Sequence, residues 1–170
     1  SVELLEKKLK SKSWQARPIV LSGNTDCYQP IEKELKITRS LLQTFLKYRH
    51  PVGMITKNSL ILRDMDILRE LAQDRLVHVN ISITTLQEHT RRILEPRTAS
   101  IKKRLETVEK LAAANVPVSV MMAPIIPSIN NHEIMPLVRE VANRGALGVG
   151  YTIVRLNGSI GEIFTDWIRK

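Results

Sequence analysis

The sequence predicts an α/β fold: a partial TIM-like (β/α) barrel with about five parallel strands. Three observations carry this reading. A short β-branched run followed by an amphipathic helical pattern recurs along the chain, and the runs return roughly every 25 to 40 residues. Alternation of this kind builds right-handed βαβ units and a parallel sheet. No glycine-rich phosphate loop follows the first run, where a nucleotide-binding doubly wound sheet would carry one. A complete barrel needs roughly 250 residues, so 170 residues read as part of one, in a single domain over 1–170.

The strands are expected at Pro18-Ile19-Val20-Leu21, Val52-Gly53-Met54-Ile55, 77–81, 116–120 and 149–154, all rich in valine and isoleucine. Ile31, Leu35, Leu42, Phe45 and Leu46 recur at helical spacing after the first strand, and Met65, Leu68, Leu71 and Ala72 after the second. Ile101, Leu105, Val108 and Ala112 form the third helical set, and Ile134, Leu137, Val138 and Val141 the fourth. Ile160, Ile163, Phe164 and Trp167 close the chain. Thr85-Leu86-Gln87-Glu88 reads as a capping box, Asp64 as the cap of the second helix, and Asn130 or Asn131 as that of the fourth. Gly145 falls where the fourth helix should stop. The one long connection runs from Leu86 to Ser100.

Composition excludes several classes. No apolar run approaches the roughly 18 residues of a membrane span, and the charged start, Ser1 to Lys8, is unlike a signal peptide. A single cysteine, Cys27, permits no internal disulfide and suits a reducing cytoplasm. His50, His78, His89 and His132 show no metal-ligand spacing, and no nucleophile motif is present, so no catalytic residue is assigned. The net charge of +9 gathers at Lys7 to Lys12, Arg91-Arg92, Lys102-Lys103-Arg104 and Arg169-Lys170. Two readings stay open for it: solvated helix faces, or a surface that attracts a polyanion such as nucleic acid.

In a barrel, chemistry gathers where strands end and helices begin, because those loops share one mouth. The five ends here read Ser22-Gly23-Asn24-Thr25-Asp26, Thr56-Lys57-Asn58, Ser82-Ile83-Thr84-Thr85, Ala123-Pro124-Ile125-Ile126-Pro127 and Arg155-Leu156-Asn157-Gly158. Four of the five turn small, polar or charged directly after a buried run. Asn24, Thr25 and Asp26 suit a turn as well as a site. Lys57 can offer a cation to a carboxylate, serve as a Schiff-base nucleophile in an aldolase-like enzyme, or stand solvated. Ser82 and Thr84 share a strand face and suit hydrogen bonds to hydroxyls or a carboxylate. Arg155 with Asn157 suits a carboxylate or phosphate contact. Asp26 and Glu95 are the available acid–base pair.

Read in order, these segments resemble a known family. The stretch from Leu21 to Glu32 resembles the second-strand loop of radical S-adenosylmethionine (SAM) proteins of the spore-photoproduct-lyase-like, or "DNA repair photolyase", kind. Ile55 to Ser59, Asn80 to Thr84, Leu94 to Thr98, Met122 to Pro127 and Gly150 to Gly158 resemble its later loops in the same order. The resemblance implies a (β/α)6 barrel holding SAM beside a [4Fe-4S] cluster, from which a 5′-deoxyadenosyl radical is generated. It implies that Ser22, Gly23, Asn24, Thr25 and Asp26 meet the methionine amino group. Lys57, Ser82 and Thr84 then lie near the carboxylate or ribose, and Ala123, Pro124 and Ile125 border the adenine. Arg97 and Arg155 are implied in carboxylate or substrate contacts. The family's Cys-x3-Cys-x2-Cys motif is absent. The chain is therefore expected to begin after the first strand and cluster loop, to be inactive alone, and to self-associate through the uncovered Ile19-Val20-Leu21 strand.

Overall fold

A computed structural model describes residues 2–169; Ser1 and Lys170, the two ends quoted above, lie outside them. Five strands form one sheet: β1 (Ile19–Leu21), β2 (Val52–Thr56), β3 (Val77–Ser82), β4 (Val118–Ile125) and β5 (Val149–Ile153). All neighbours run parallel and the order is β1-β2-β3-β4-β5. A doubly wound sheet reverses its strand order at a switch point. This one never reverses, as an arc of a barrel requires.

The helices are α1 (Val2–Leu9), α2 (Glu32–Leu35), α3 (Ile37–Lys47), α4 (Met65–Gln73), α5 (Glu88–Leu94), α6 (Ile101–Ala113), α7 (Ile134–Asn143) and α8 (Ser159–Arg169). Alternate strand residues build the core: Val52 and Met54, Val77, Val79 and Ile81, and Val118, Val120 and Met122 are all buried. Leu42 and Phe45 of α3, Leu68 and Leu71 of α4, Val108 and Leu111 of α6, and Leu137 and Val141 of α7 join the same cluster. At the alternate positions, Ile55, His78, Asn80, Ser119 and Met121 are only partly covered. His78 meets Ser119 across that second face, 3.0 Å from Nε2 to Oγ, a structural role for this histidine.

Several sequence expectations change. The first helical set is two helices, because Lys36 takes a left-handed conformation (φ 50°) and breaks the run. Ile31, Leu35 and Ile37 around the break are exposed. The connection from Leu86 to Ser100 contains α5. The expected capping box does not close: the Thr85 hydroxyl accepts from the Gln87 amide, but Glu88 accepts from the Ile101 amide and from Arg91 and does not reach back to Thr85. Ala123, Pro124 and Ile125 belong to β4 itself and not to the loop after it. Two expectations meet geometry that suits them. Gly145 stands two residues past α7 at φ +85°, where a left-handed residue ends a helix. The set around Ile160 forms α8, yet none of its residues is buried, and Ile160, Ile163 and Ile168 stay exposed.

Candidate functional site

The strand ends carry two linked polar networks. The first fixes the loop after β1. Ser22 adopts φ 79°, a left-handed turn, and its Oγ accepts from the Cys27 amide at 2.8 Å. Asp26 then ties this loop to the end of β2. Its Oδ1 accepts from the Tyr28 amide and the Thr56 hydroxyl, and its Oδ2 from the Lys57 amide at 2.8 Å. Asp26 is therefore committed to holding the loop. Gly23, Asn24 and Thr25 between them are exposed and make no hydrogen bond among the described residues.

The second network centres on Glu95, whose side chain is 8% exposed. Lys57 Nζ lies 2.8 Å from its Oε1, and the Thr84 hydroxyl donates to the same oxygen at 2.8 Å. Arg104 Nη1 lies 2.7 Å from Oε2 as an ion contact. That nitrogen also donates to the Ser82 carbonyl, so the arginine ties the end of β3 to Glu95. Burial opposes ionisation of Glu95, but the charge of Arg104, then Lys57 and the Thr84 hydrogen bond, hold its carboxyl below the ordinary glutamate value. Asp26 and Glu95 do not pair with one another; each grips Lys57 at a different atom.

The remaining expected residues divide. Ser82 and Thr84 are buried on the same face of β3 and its extension, and Thr84 Oγ1 also lies 3.4 Å from the Ala123 carbonyl. Ala123 and Pro124 are partly covered and Ile125 is buried, so this end of β4 offers an apolar backbone edge beside Thr84. Arg97 is exposed and lines a separate groove with Lys33, Arg63 and Lys103. Arg155 and Asn157 are exposed beyond β5 and meet no partner among the described residues.

Sequence reasoning missed four positioning residues. Arg104, placed in a solvated basic cluster, is fully buried and binds the Ser82 and Ala99 carbonyls, the Thr98 hydroxyl and Glu95. The signal was there: Arg104 lies three residues after Ile101 and four before Val108, on the apolar stripe. Arg91 is likewise buried, against the Glu95 and Thr98 carbonyls. Glu133 accepts from the Thr85 hydroxyl and the Leu86 amide. Asn130 does not cap α7; it accepts from the Ile126 amide and donates to the Thr84 and Pro124 carbonyls, joining the ends of β3 and β4. Asn131 caps nothing either, accepting from the Ser128 amide in the preceding turn.

The model of the radical SAM superfamily matches residues 1–141. An uncharacterized protein of Mycobacterium tuberculosis is 27% identical over 169 residues, 98% of this chain and 50% of its own length. One from Methanocaldococcus jannaschii is 30% identical over 127 residues, 75% of this chain and 47% of its own length. The chain thus spans about half the length of the curated relatives it matches. A mutant spore photoproduct lyase with bound AdoMet and dinucleoside spore photoproduct superposes with a TM-score of 0.70 at 16% identity, over 99% of this chain and 50% of that one. SuiB of Streptococcus suis, bound to S-adenosylmethionine, superposes at 0.58 and 13% identity, over 89% of this chain and 34% of that one. The shared architecture is the partial TIM-like barrel.

Proposed function

This chain belongs to the radical SAM superfamily, and we propose that it forms the SAM-binding part of a radical SAM enzyme of the spore-photoproduct-lyase-like kind. The observation that carries the proposal is the Lys57–Glu95–Thr84 network at the strand ends. SAM presents an ammonium, a carboxylate, ribose hydroxyls and a flat adenine. Those groups have counterparts here. Gly23, Asn24 and Thr25, in the loop from Ser22 to Asp26, keep backbone carbonyls free for the ammonium. Lys57 supplies a cation for the carboxylate. Ser82 and Thr84 supply hydroxyls. The edge from Ala123 through Pro124 to Ile125 can flank the ring. Arg97 and Arg155 stand apart from this set and are left to substrate.

A [4Fe-4S] cluster does not fit the residues present. The chain holds one cysteine, and burial pushes its thiol up to about 11, away from the thiolate a cluster needs. No three His, Cys, Asp or Glu residues are grouped to hold a metal among the described residues. On this reading the cluster thiolates of the complete enzyme come from outside this chain, and the chain alone is inactive. The single-domain reading of 1–170, a cytoplasmic location and a nucleic-acid substrate belong to the same proposal; the last draws support from the +9 charge. Among the described residues no helix is long and apolar enough to cross a membrane. An aldolase role for Lys57 is disfavoured, since its ammonium is bound to Glu95 instead of standing free to attack a carbonyl.

Calorimetric titration of SAM tests the site. Lys57→Ala should weaken binding roughly 10- to 100-fold, the worth of one charged hydrogen bond of about 1.5–3 kcal/mol. Affinity unchanged in both Lys57→Ala and Ser82→Ala would remove the assignment. For the full-length protein, anaerobic reconstitution with iron, sulfide, dithionite and SAM should yield 5′-deoxyadenosine. None from a loaded cluster would sink the enzymatic reading.

A further inference from the structure

We propose that the groove beside the strand ends binds phosphate groups. It has a volume of about 550 Å³ and is lined by residues from three connections, all at the end of the sheet that carries Lys57 and Glu95. Lys33 comes from α2, Asn58 and Arg63 from the segment after β2, Arg97 from the turn after α5, and Ser100 and Lys103 from the start of α6. Four of the lining residues are cations and none is a carboxylate.

The charge of the groove is not cancelled from behind. Of the acids nearest it in sequence, Glu34 is exposed and does not line the groove, and the others are already committed. Glu32 accepts from the Thr38 amide and stands 3.8 Å from Arg63. Asp64 is fully buried against Arg39, Arg63 and Tyr28. Glu88 holds Arg91 and the Ile101 amide, and Glu95 holds Lys57, Thr84 and Arg104. Arg63 is spent on Asp64 and the Glu32 carbonyl. Lys33, Arg97 and Lys103 are different: all three are exposed, and none meets an acid within salt-bridge distance among the described residues. The 13-residue helix α6 begins here, but Glu88 and the Ser100 hydroxyl already take its Ile101 and Lys103 amides, so the side-chain cations supply the charge. Three exposed cations around an acid-free groove match the oxygens of phosphodiesters or phosphomonoesters. Arg97 offers a two-point fork and the lysines point charges.

The phosphates can come from a nucleic-acid strand or a free nucleotide. This groove lies outside the proposed SAM set, and its occupancy does not depend on SAM binding. Fluorescence anisotropy with a labelled 12-nucleotide single strand tests the first source, and calorimetry with AMP and with inorganic phosphate the second. Lys33→Gln/Arg97→Gln/Lys103→Gln removes the groove charge. Lys7→Gln/Lys10→Gln/Lys12→Gln removes the same net charge at the other end of the chain. With three phosphates neutralised, strand affinity should fall roughly 20-fold between 50 and 200 mM salt. The groove variant should lose most of that dependence and the control variant should keep it, with circular dichroism confirming that both fold. Loss of AMP or phosphate binding in the groove variant alone would equally support the site and identify the smaller ligand. Binding of no probe by the wild-type chain, or equal effects of the two variants, overturns the proposal. SAM affinity measured on the same samples reports separately on the reading above.

Discussion

At the scale of single residues, Glu95 organises the site. It stands in the turn after α5, far in sequence from Lys57, and three positive or donating groups converge on it. Its carboxyl is held below the ordinary glutamate value, so the sign of the pH effect follows directly. A depressed folded value contributes stability above the unfolded value, near 4.3, and that stability is lost as pH falls through the folded value. Thermal melts from pH 7 to pH 3 should therefore show the wild type well above Glu95→Gln near neutrality and the gap narrowing below about pH 4.5. A gap constant across that range would mean that the carboxylate charge contributes nothing. At this site, Lys57, Ser82 and Thr84 could be singled out in sequence because they follow apolar runs. The partner that Lys57 and Thr84 share could not, since nothing local marks Glu95 as meeting them.

Among the elements, the strand and helix periods were legible and the caps were not. Asp64 was expected to cap α4, yet its carboxylate turns to Tyr28, Arg39 and Arg63. Thr85 and Glu88 have capping-box spacing, but the Thr85 hydroxyl accepts from Gln87 while donating to Glu133, and Ile101 takes the Glu88 carboxylate. A cap bond contributes about 1 kcal/mol, and a buried charged partner supplied by another element outweighs it. Gly145 is the element end where the local rule held. Its φ of +85° disfavours any side chain, and an added Cβ would stand 2.8 Å from the Ala112 Cβ of α6. Gly145→Ala should cost about 1–2 kcal/mol, read as a lower urea midpoint at unchanged slope. A variant as stable as the wild type would show that the α6–α7 approach relaxes freely.

For the whole molecule, the consecutive strand order leaves β1 and β5 as the edges of the sheet. β1 has three residues and Val20 is 55% exposed on it, while Tyr151 of β5 is 67% exposed and the apolar stripe of α8 lies uncovered. Short edges limit strand pairing, but an apolar edge without a charge still invites it. Sedimentation at high concentration should show mass above the 19.4 kDa monomer, and Val20→Lys should reduce it. A wild-type chain that stays monomeric would refute pairing through β1.

The sequence by itself determined the order of the strands, the parallel sheet and the family. Each of these rests on local periodicity or on short segments in fixed order, which a chain carries whether folded or not. Tertiary structure alone decided what the polar residues do. Asp26 became a clamp, Arg104 a buried strut and Lys57 half of an ion pair. The physical reason is that a buried charge must find its partner wherever the fold brings one, and in a βαβ chain that partner stands on a different loop at the same end of the sheet.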